Sequence, residues 1–351
     1  MTTEIETDQE PGVTHPRETF SLTGHEAAER TLVESFAGAR MHHAWMFSGP
    51  RGVGKATLAY RFARHVLGAA QCGARPLDVG RDDPIARRIA SRSHGDVRIL
   101  RRGLNERGKP RSEITVDEAR AFLSFFSLKP SEGGWRVAII DAVDDLNRNA
   151  ANAILKTLEE PPNKTVLILV CHAPGSTLAT IRSRCRRLDL RPLEDADVRA
   201  AIAAQGDGKI DETAVRFAGG RPGRAIALAA ADVDAMYNAL TDAFRAAPQE
   251  GARAFLKSVY AKAGDRGQRL MMFLSLARDL LRRAAVVGSG AEVNDPRDSP
   301  LFIGIAPPAH ALRFAEAFEA LLELEREAEG LDMDPTHAFS RAARVLERAI
   351  A

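Results

Sequence analysis

Apolar runs alternate with amphipathic stretches through the first half of the chain. The runs at residues 44–47, 96–100, 135–140 and 165–171 predict buried strands, and residues 185–190 predict a last strand. Between these runs, apolar residues recur every three or four positions, which indicates helices with one buried face. Strands that alternate with helices in this way predict a doubly wound α/β domain built around a parallel sheet.

The pattern changes after residue 192, because no further β-branched run occurs and alanine becomes abundant. Three short helices are predicted first, at residues 195–205, 211–218 and 224–230, and at least four longer amphipathic helices follow. A loop rich in glycine, proline and aspartate interrupts the longer helices at residues 288–308. The predicted parts are a flexible tail at residues 1–22, an α/β core at 23–191, a small helical lid at 192–231 and an all-α domain at 232–351.

Composition narrows the class of protein only a little. The 351 residues are 45% hydrophobic, which is ordinary for a globular protein, and this length predicts more than one domain. The 49 basic and 47 acidic residues leave a net charge of +2, so any contact with nucleic acid has to come from local patches. Residues 1–18 lack an apolar signal region, and no apolar run approaches the roughly 18 residues of a membrane span. We therefore predict a cytoplasmic protein without a membrane partner.

The three cysteines, Cys72, Cys171 and Cys185, show no C-x-x-C spacing. An odd number of cysteines without this spacing argues against a disulfide framework and against a zinc site. The sequence therefore predicts a reducing compartment and no bound metal.

A glycine-rich loop follows the first predicted strand and precedes a helix. Its sequence, GPRGVGKA, matches G-x-x-x-x-G-K-[ST] at every position but the last, where Ala56 replaces the hydroxyl residue. In such loops, backbone N–H groups surround a phosphate and the lysine adds a positive charge. The alternative is a glycine-rich turn whose lysine faces solvent. The candidate nucleotide-binding residues are Gly49, Gly52, Gly54, Lys55, Thr57 and Asp141.

Two groups that ATP hydrolysis needs are missing from this pattern. Ala56 has no oxygen to offer Mg²⁺, and Thr57 points about 100° further round the helix. Asp141 ends a buried strand, where nucleotide hydrolases place an acid, but Ala142 replaces the glutamate that commonly activates water. Both losses affect hydrolysis, and neither affects the fold.

Two basic stretches are candidates for phosphate contacts. The first precedes the last strand and contains Arg182, Arg184, Arg186 and Arg187. It is interpreted either as an arginine presented to a phosphate on another subunit or as a solvated basic loop. The second stretch contains Arg98, Arg101, Arg102, Arg107, Lys109 and Arg111. It either contacts DNA phosphates or forms a solvated hairpin, and composition favours the hairpin.

Four segments together carry a family resemblance: HAWMFSGPRGVGKATLA, the strand RVAIID, the helix NAILKTLEEPP and the trailer TIRSRCRRLDLRPL. They resemble the bacterial DNA polymerase III clamp-loader subunits of the AAA+ class, and among these the delta-prime type. The resemblance covers residues 24–230, and the helical C-terminal third fits in kind and length only. It implies an AAA+ doubly wound domain, a helical lid and a C-terminal collar that holds a hetero-oligomeric ring together.

The resemblance also implies a role without hydrolysis. In that family the serine-arginine-cysteine trailer carries an arginine that acts in trans on a neighbouring ATP site, and it falls on Arg184. The implied partners are the motor subunits and the delta subunit, with the sliding clamp and primed DNA reached through the complex. Whether ATP or ADP binds without hydrolysis through Lys55 stays open. Arg224 is the candidate sensor arginine, although Gly223 lies closer to the register of the motor subunits.

Two alternatives remain at this point. One is an active AAA+ motor subunit in which Thr57 or a water replaces the missing hydroxyl, and Asp144 or Asp145 replaces the glutamate. The other is a nucleotide-sensing scaffold outside replication, against which the NAILKTLEEPP and SRC segments weigh. Two independent losses favour the inert role, since phosphoryl transfer needs both groups.

Overall fold

The computed structural model describes most of the chain and divides it into two compact units, Met1–Ala227 and Leu228–Ala351. The described residues are 6–10, 12–38, 41–106, 108–204, 210–246, 266–291, 308–330 and 333–350. Arg107 and most of the predicted loop at 288–308 lie outside these ranges.

The first unit contains a sheet of five parallel strands in the order β2-β3-β4-β1-β5. The strands are β1 (Ala44–Ser48), β2 (Val97–Arg101), β3 (Arg136–Asp141), β4 (Thr165–Cys171) and β5 (Arg186–Asp189). All residues of β1 and β4 are buried, as expected for central strands that are covered on both faces. The predicted parallel sheet is confirmed.

Helices cover both faces of this sheet. They are α1 (Glu26–Ala37), α2 (Lys55–Val66), α3 (Pro84–Ala90), α4 (Val116–Leu123), α5 (Arg148–Glu159) and α6 (Ala179–Arg182). Because successive side chains of a strand point to opposite faces, β1 contributes Trp45 and Phe47 to one apolar cluster and Ala44 and Met46 to the other. This two-sided core confirms the doubly wound arrangement.

The ends of two helices have local causes. Thr115 and Glu118 form a reciprocal capping box at the start of α4. Asn147 accepts a hydrogen bond from the Ala150 N–H at the start of α5, and two prolines follow soon after that helix ends. The sequence predicts that α4 continues to residue 129, whereas the α-helix ends at Leu123 and a 3-10 turn follows.

Three short helices follow the sheet: α7 (Asp195–Ala203), α8 (Glu212–Ala218) and α9 (Pro222–Ala230), and the first unit ends within α9. Described helices of the second unit are α10 (Val233–Ala246), α11 (Arg266–Gly288), α12 (Ala311–Gly330) and α13 (Pro335–Ile350). No strand occurs among the described residues after Asp189. An α/β domain followed by a helical lid and an all-α region is therefore the fold class.

The N-terminal segment differs from the flexible tail that its polar sequence predicts. His15 and Thr19 are buried, and Leu22 belongs to the core of the sheet domain. Asp8 pairs with Arg101 at the end of β2, and the Arg17 Nε–H donates to the Ala90 carbonyl at 2.9 Å. The polar residues are therefore ordered by partners on the domain, which a count of apolar residues does not show. Residues 1–5 lie outside the described part of the chain.

A buried ion network ties α1 and α2 to the segment that precedes α3. Arg61 is 1% exposed and contacts Glu29, which is fully buried, at 2.9 Å and Asp78 at 2.8 Å. Arg75 contacts the second oxygen of Glu29, also at 2.9 Å. Because a buried charge is costly when it loses a partner, this network makes the segment at residues 70–83 part of the domain core.

We predict that Arg61→Met lowers the free energy of unfolding by about 3–5 kcal/mol, because Glu29 keeps its charge in the core and loses one partner. Urea unfolding of the whole chain measures the change. The control is Arg30→Met, on an exposed position of the same α1–α2 layer, which should change stability by less than about 0.5 kcal/mol. Equal effects of the two changes would contradict the role given to the network.

Candidate functional site

The glycine loop lies between β1 and α2, at the edge of the sheet where the parallel strands end. The Gly49 N–H donates to the Cys171 carbonyl at 3.2 Å, and the Leu190 N–H donates to the Ser48 carbonyl at 2.8 Å. A Cβ at Gly49 would lie 2.2 Å from the Leu190 carbonyl oxygen. Only glycine fits at this position. The two backbone hydrogen bonds place the start of the loop where β1, β4 and the chain after β5 meet.

Lys55 is turned onto its own loop. Its side chain is buried, and its Nζ donates to the carbonyl oxygens of Gly49 at 2.6 Å and Pro50 at 2.7 Å. Burial lowers the pKa of Lys55 to about 8, while the nearby charges of Asp141 and Asp144 act in the opposite direction. The ammonium that would meet a phosphate is therefore occupied by two backbone acceptors.

The lid contacts the same loop. The Gly223 N–H, at the start of α9, donates to the Gly52 carbonyl at 2.9 Å. Gly52 has a φ of +83°, and a Cβ at this position would lie 2.8 Å from the Arg224 backbone nitrogen. The loop and the first turn of α9 thus pack backbone against backbone, and the partly buried Arg224 lies at this contact.

The acids near the loop already have partners. Burial raises the pKa of Asp141, at the end of β3, to about 7, and the Lys55 charge opposes this rise. The Asp144 carboxylate accepts the backbone N–H groups of His172 and Ala173, the second at 2.9 Å. Asp145 pairs with Arg102 at 3.2 Å. The two candidates for activating a water are therefore engaged in holding neighbouring loops.

Of the six predicted nucleotide-binding residues, five form one cluster and the sixth, Thr57, lies apart from them. Gly49, Gly52, Gly54, Lys55 and Asp141 meet at the carboxyl edge of the sheet, where backbone N–H groups and Lys55 could bind an anion. Thr57 lies in the first turn of α2 and is half-buried, and Ala56 precedes it. Of the predicted residues, only Asp141 offers a carboxylate to a metal at this edge.

A second group of potential ligands lies in the N-terminal segment and was not predicted. Among the described residues, the ligand atoms of Glu6, Asp8 and His15 lie within 4.8 Å of one another. Three arginines pair with these acids, namely Arg17, Arg92 and Arg101. Because the acids are already neutralised, this group is an ion-pair network that attaches the N-terminal segment to the domain.

Arg184 lies at the opposite edge of the sheet from the glycine loop. It follows α6 and precedes β5, and the first residue of β5, Arg186, lies opposite Trp45 of β1 in the register of the sheet. The loop begins four residues further along β1, which is about 13 Å of strand. Arg184 therefore cannot act on its own chain's loop.

Four arginines of the trailer have a partner within the chain. Arg182 donates to the Pro174 carbonyl at 2.6 Å, Arg186 lies over the Trp45 ring, and Arg187 pairs with Asp189. The Arg184 Nη1 donates to the Thr180 carbonyl at 2.9 Å, and its Nη2 lies 2.7 Å from the Glu159 Oε1. The pairing with Glu159 was not predicted, because 25 residues separate the two in sequence.

The second basic stretch begins within β2 and continues into a hairpin. The Asn105 N–H donates to the Lys109 carbonyl at 2.8 Å, and Leu104 forms an antiparallel bridge with Pro110. Two of its arginines are engaged by acids: Arg101 by Asp8 and Arg102 by Asp145. Arg98 is exposed. Hairpin geometry agrees with the interpretation that composition favours, and DNA contact stays a prediction.

We predict that Gly52→Ala lowers the free energy of unfolding by about 1–3 kcal/mol more than Gly68→Ala does, because only the first Cβ meets backbone. The two positions have similar φ values, +83° and +89°, and a Cβ at Gly68 meets nothing within 4 Å. Urea unfolding of both variants measures the difference. Equal losses would mean that the contact between the loop and α9 contributes nothing to stability.

We expect ATP or ADP binding by the isolated chain to weaken by about ten-fold between pH 7 and pH 9. With a pKa of about 8, Lys55 is cationic below this range and loses its charge as the pH rises through it. Titration with a fluorescent nucleotide measures the affinity, and Lys55→Met should bind weakly at both pH values. A pH-independent affinity of the unmodified chain would show that Lys55 does not contact the bound anion.

Comparisons with known proteins cover the sheet domain. The family model described as DNA polymerase III, delta subunit, matches residues 24–194. The chain is 34% identical over 163 residues to DNA polymerase III subunit delta' of Pseudomonas aeruginosa, an alignment that covers 45% of this chain and 46% of that protein. It is also 34% identical over 180 residues to DNA polymerase III subunit tau of Bacillus subtilis, covering 51% of this chain and 30% of that protein. The chain thus spans less than half the length of these two relatives.

A solved structure shows a more distant likeness over a greater length. It is a DNA polymerase III, gamma subunit-related protein from Thermotoga maritima, with 15% identity and a TM-score of 0.46 over 92% of this chain and 99% of that one. This likeness is too distant to add to the fold described above. No helix among the described residues is long and apolar enough to span a membrane.

Proposed function

We propose that this chain is a clamp-loader subunit that hydrolyses no ATP itself and donates Arg184 to the ATP site of a neighbouring subunit, because residues 24–194 match the family model described as DNA polymerase III, delta subunit. Relatives named delta' confirm the resemblance to that type found in the sequence. The finer role, in which Arg184 acts in trans, is the part that requires argument from geometry.

One observation carries the proposal, namely that Arg184 and the glycine loop lie at opposite edges of one parallel sheet. A guanidinium that is 35% exposed and cannot reach its own loop is suited to a phosphate on another molecule. Its planar donors match phosphate oxygens, and such an arginine stabilises the charge of a transferring phosphoryl group.

The geometry of the loop supports the absence of hydrolysis. Lys55 donates to two loop carbonyls, and Gly52 accepts from the lid. A bound triphosphate would have to displace the lysine from these acceptors, and Ala56 offers no oxygen to the Mg²⁺ that accompanies it. We infer that any ATP or ADP bound here is held without turnover.

The alternative is an active motor subunit, and the similarity to subunit tau is the observation that favours it. That alternative needs Asp144 or Asp145 to activate a water. Asp144 accepts two backbone N–H groups and Asp145 pairs with Arg102, so either acid would first have to leave its partner. This requirement makes the inert role the better supported one.

The proposed role implies the rest of the assembly. We propose that the all-α region predicted at residues 232–351 acts as a collar in a cytoplasmic ring with motor subunits and a delta subunit. In such a ring, ATP binding holds the sliding clamp open around primed DNA, and hydrolysis releases it. This chain would contribute Arg184 and a stable first unit whose core includes the Arg61 network.

The test compares Arg184→Ala with the unmodified chain in a ring reconstituted with its motor subunits. We expect DNA-stimulated ATP turnover at the adjoining site to fall by about 10³-fold, the low end of the range for an arginine acting in trans. Arg187→Ala is the matched control, because Arg187 is an exposed arginine of the same trailer that pairs with Asp189. Unchanged turnover with Arg184→Ala in an intact ring would refute the proposal.

A further inference from the structure

We propose that Glu159 is a positioning residue that holds Arg184 away from phosphate until a neighbouring subunit presents its triphosphate. This inference rests on the proposed function, since it concerns the regulation of the same arginine. It assigns a role to the first of the two glutamates in the NAILKTLEEPP segment, which ends α5.

The contacts of Arg184 define a held orientation. Its Nη1 donates to the Thr180 carbonyl at 2.9 Å and its Nη2 pairs with the Glu159 Oε1 at 2.7 Å. Thr180 belongs to α6, and the neighbouring Ile181 is buried in the core of the sheet domain. The Thr180 carbonyl therefore accepts from one terminal nitrogen of the guanidinium, and the Glu159 carboxylate is paired with the other.

A phosphate would compete with Glu159 for the same donors. A guanidinium has five N–H groups in one plane, and it binds an oxyanion best through two parallel donors. While Nη2 is ion-paired with Glu159 and Nη1 donates to the Thr180 carbonyl, two of the nitrogens that would bind a phosphate are already engaged. A phosphate that binds Nη2 therefore competes with the Glu159 carboxylate.

The location of Glu159 suits a partner that can be exchanged. It lies in the last turn of α5, where the partial negative charge of the helix end disfavours a carboxylate and an arginine offsets that cost. The pair is open to solvent, with Arg184 35% and Glu159 49% exposed. Exposed pairs of this kind favour the paired state by a factor of only about 1.4–5. A triphosphate, which carries several charges, can displace such a partner.

Glu160 provides an internal comparison. It is the next residue, it is also exposed, and no ion pair of its side chain occurs in the structure described here. The two glutamates therefore contribute similar charge to the region, and only Glu159 contacts Arg184. A general effect of negative charge near the phosphate would act through both residues, whereas holding of Arg184 acts through one.

The test measures kcat/KM for ATP in the reconstituted ring with Glu159→Gln, and with Glu160→Gln as the matched control. If Arg184 is held, only its unpaired fraction can engage phosphate, so Glu159→Gln should raise kcat/KM by about two- to six-fold. The rise should shrink between about 0.05 M and about 0.3 M salt, because salt screens an exposed pair. Glu160→Gln should leave kcat/KM unchanged.

Three results would overturn the inference: no change with Glu159→Gln, a fall in kcat/KM, or an equal rise with Glu160→Gln. A fall would mean that the glutamate orients Arg184 for the reaction, and an equal rise would mean a general charge effect. Arg184→Ala measured in the same ring separates this inference from the proposed function. If Arg184→Ala abolishes turnover while Glu159→Gln changes nothing, only the holding role fails; if Arg184→Ala changes nothing, both fail.

Discussion

The parallel direction of all five strands is the constraint on which the rest of the structure depends. The residues directly after each strand lie at one edge of the sheet, and the residues directly before each strand lie at the other. The glycine loop, Asp141 and the lid contact share the carboxyl edge, whereas Arg184 and Glu159 share the amino edge. One chain therefore contains a phosphate-binding loop and an arginine suited to phosphate, but it cannot bring the two together. This arrangement suits a subunit that acts beside another.

At the carboxyl edge, the polar groups that could serve a nucleotide are satisfied by the chain itself. Lys55 donates to its own loop, Gly52 accepts from the start of α9, and Asp144 holds the loop after β4. Burial disfavours the charged forms of Lys55 and Asp141 and shifts their pKa values toward each other, to about 8 and about 7. The groups that would meet a phosphate are therefore held by contacts within the chain.

The sequence predicted the buried strands well, because short continuous apolar runs are typical of strands that are covered on both faces. The bounds predicted for β4, Thr165–Cys171, agree with the structure residue for residue. The sequence failed where a polar residue has a distant partner. The polar N-terminal segment was predicted to be flexible, because the sequence does not show that Asp8 pairs with Arg101. The end of α4 was predicted too late, because the 3-10 turn that follows it has no strong sequence signal. The contacts of Gly223 with Gly52 and of Glu159 with Arg184 join residues far apart in sequence, so periodicity and motif spacing cannot reveal them.

ATP turnover by the purified chain alone, compared with Lys55→Ala, tests the central claim most directly. That claim is that this loop keeps the shape of a phosphate site without the groups for hydrolysis, while Arg184 serves a site elsewhere. The account predicts no turnover above that of Lys55→Ala. Turnover near the rate of about 10 s⁻¹ that is typical of enzymes, abolished by Lys55→Ala, would contradict it.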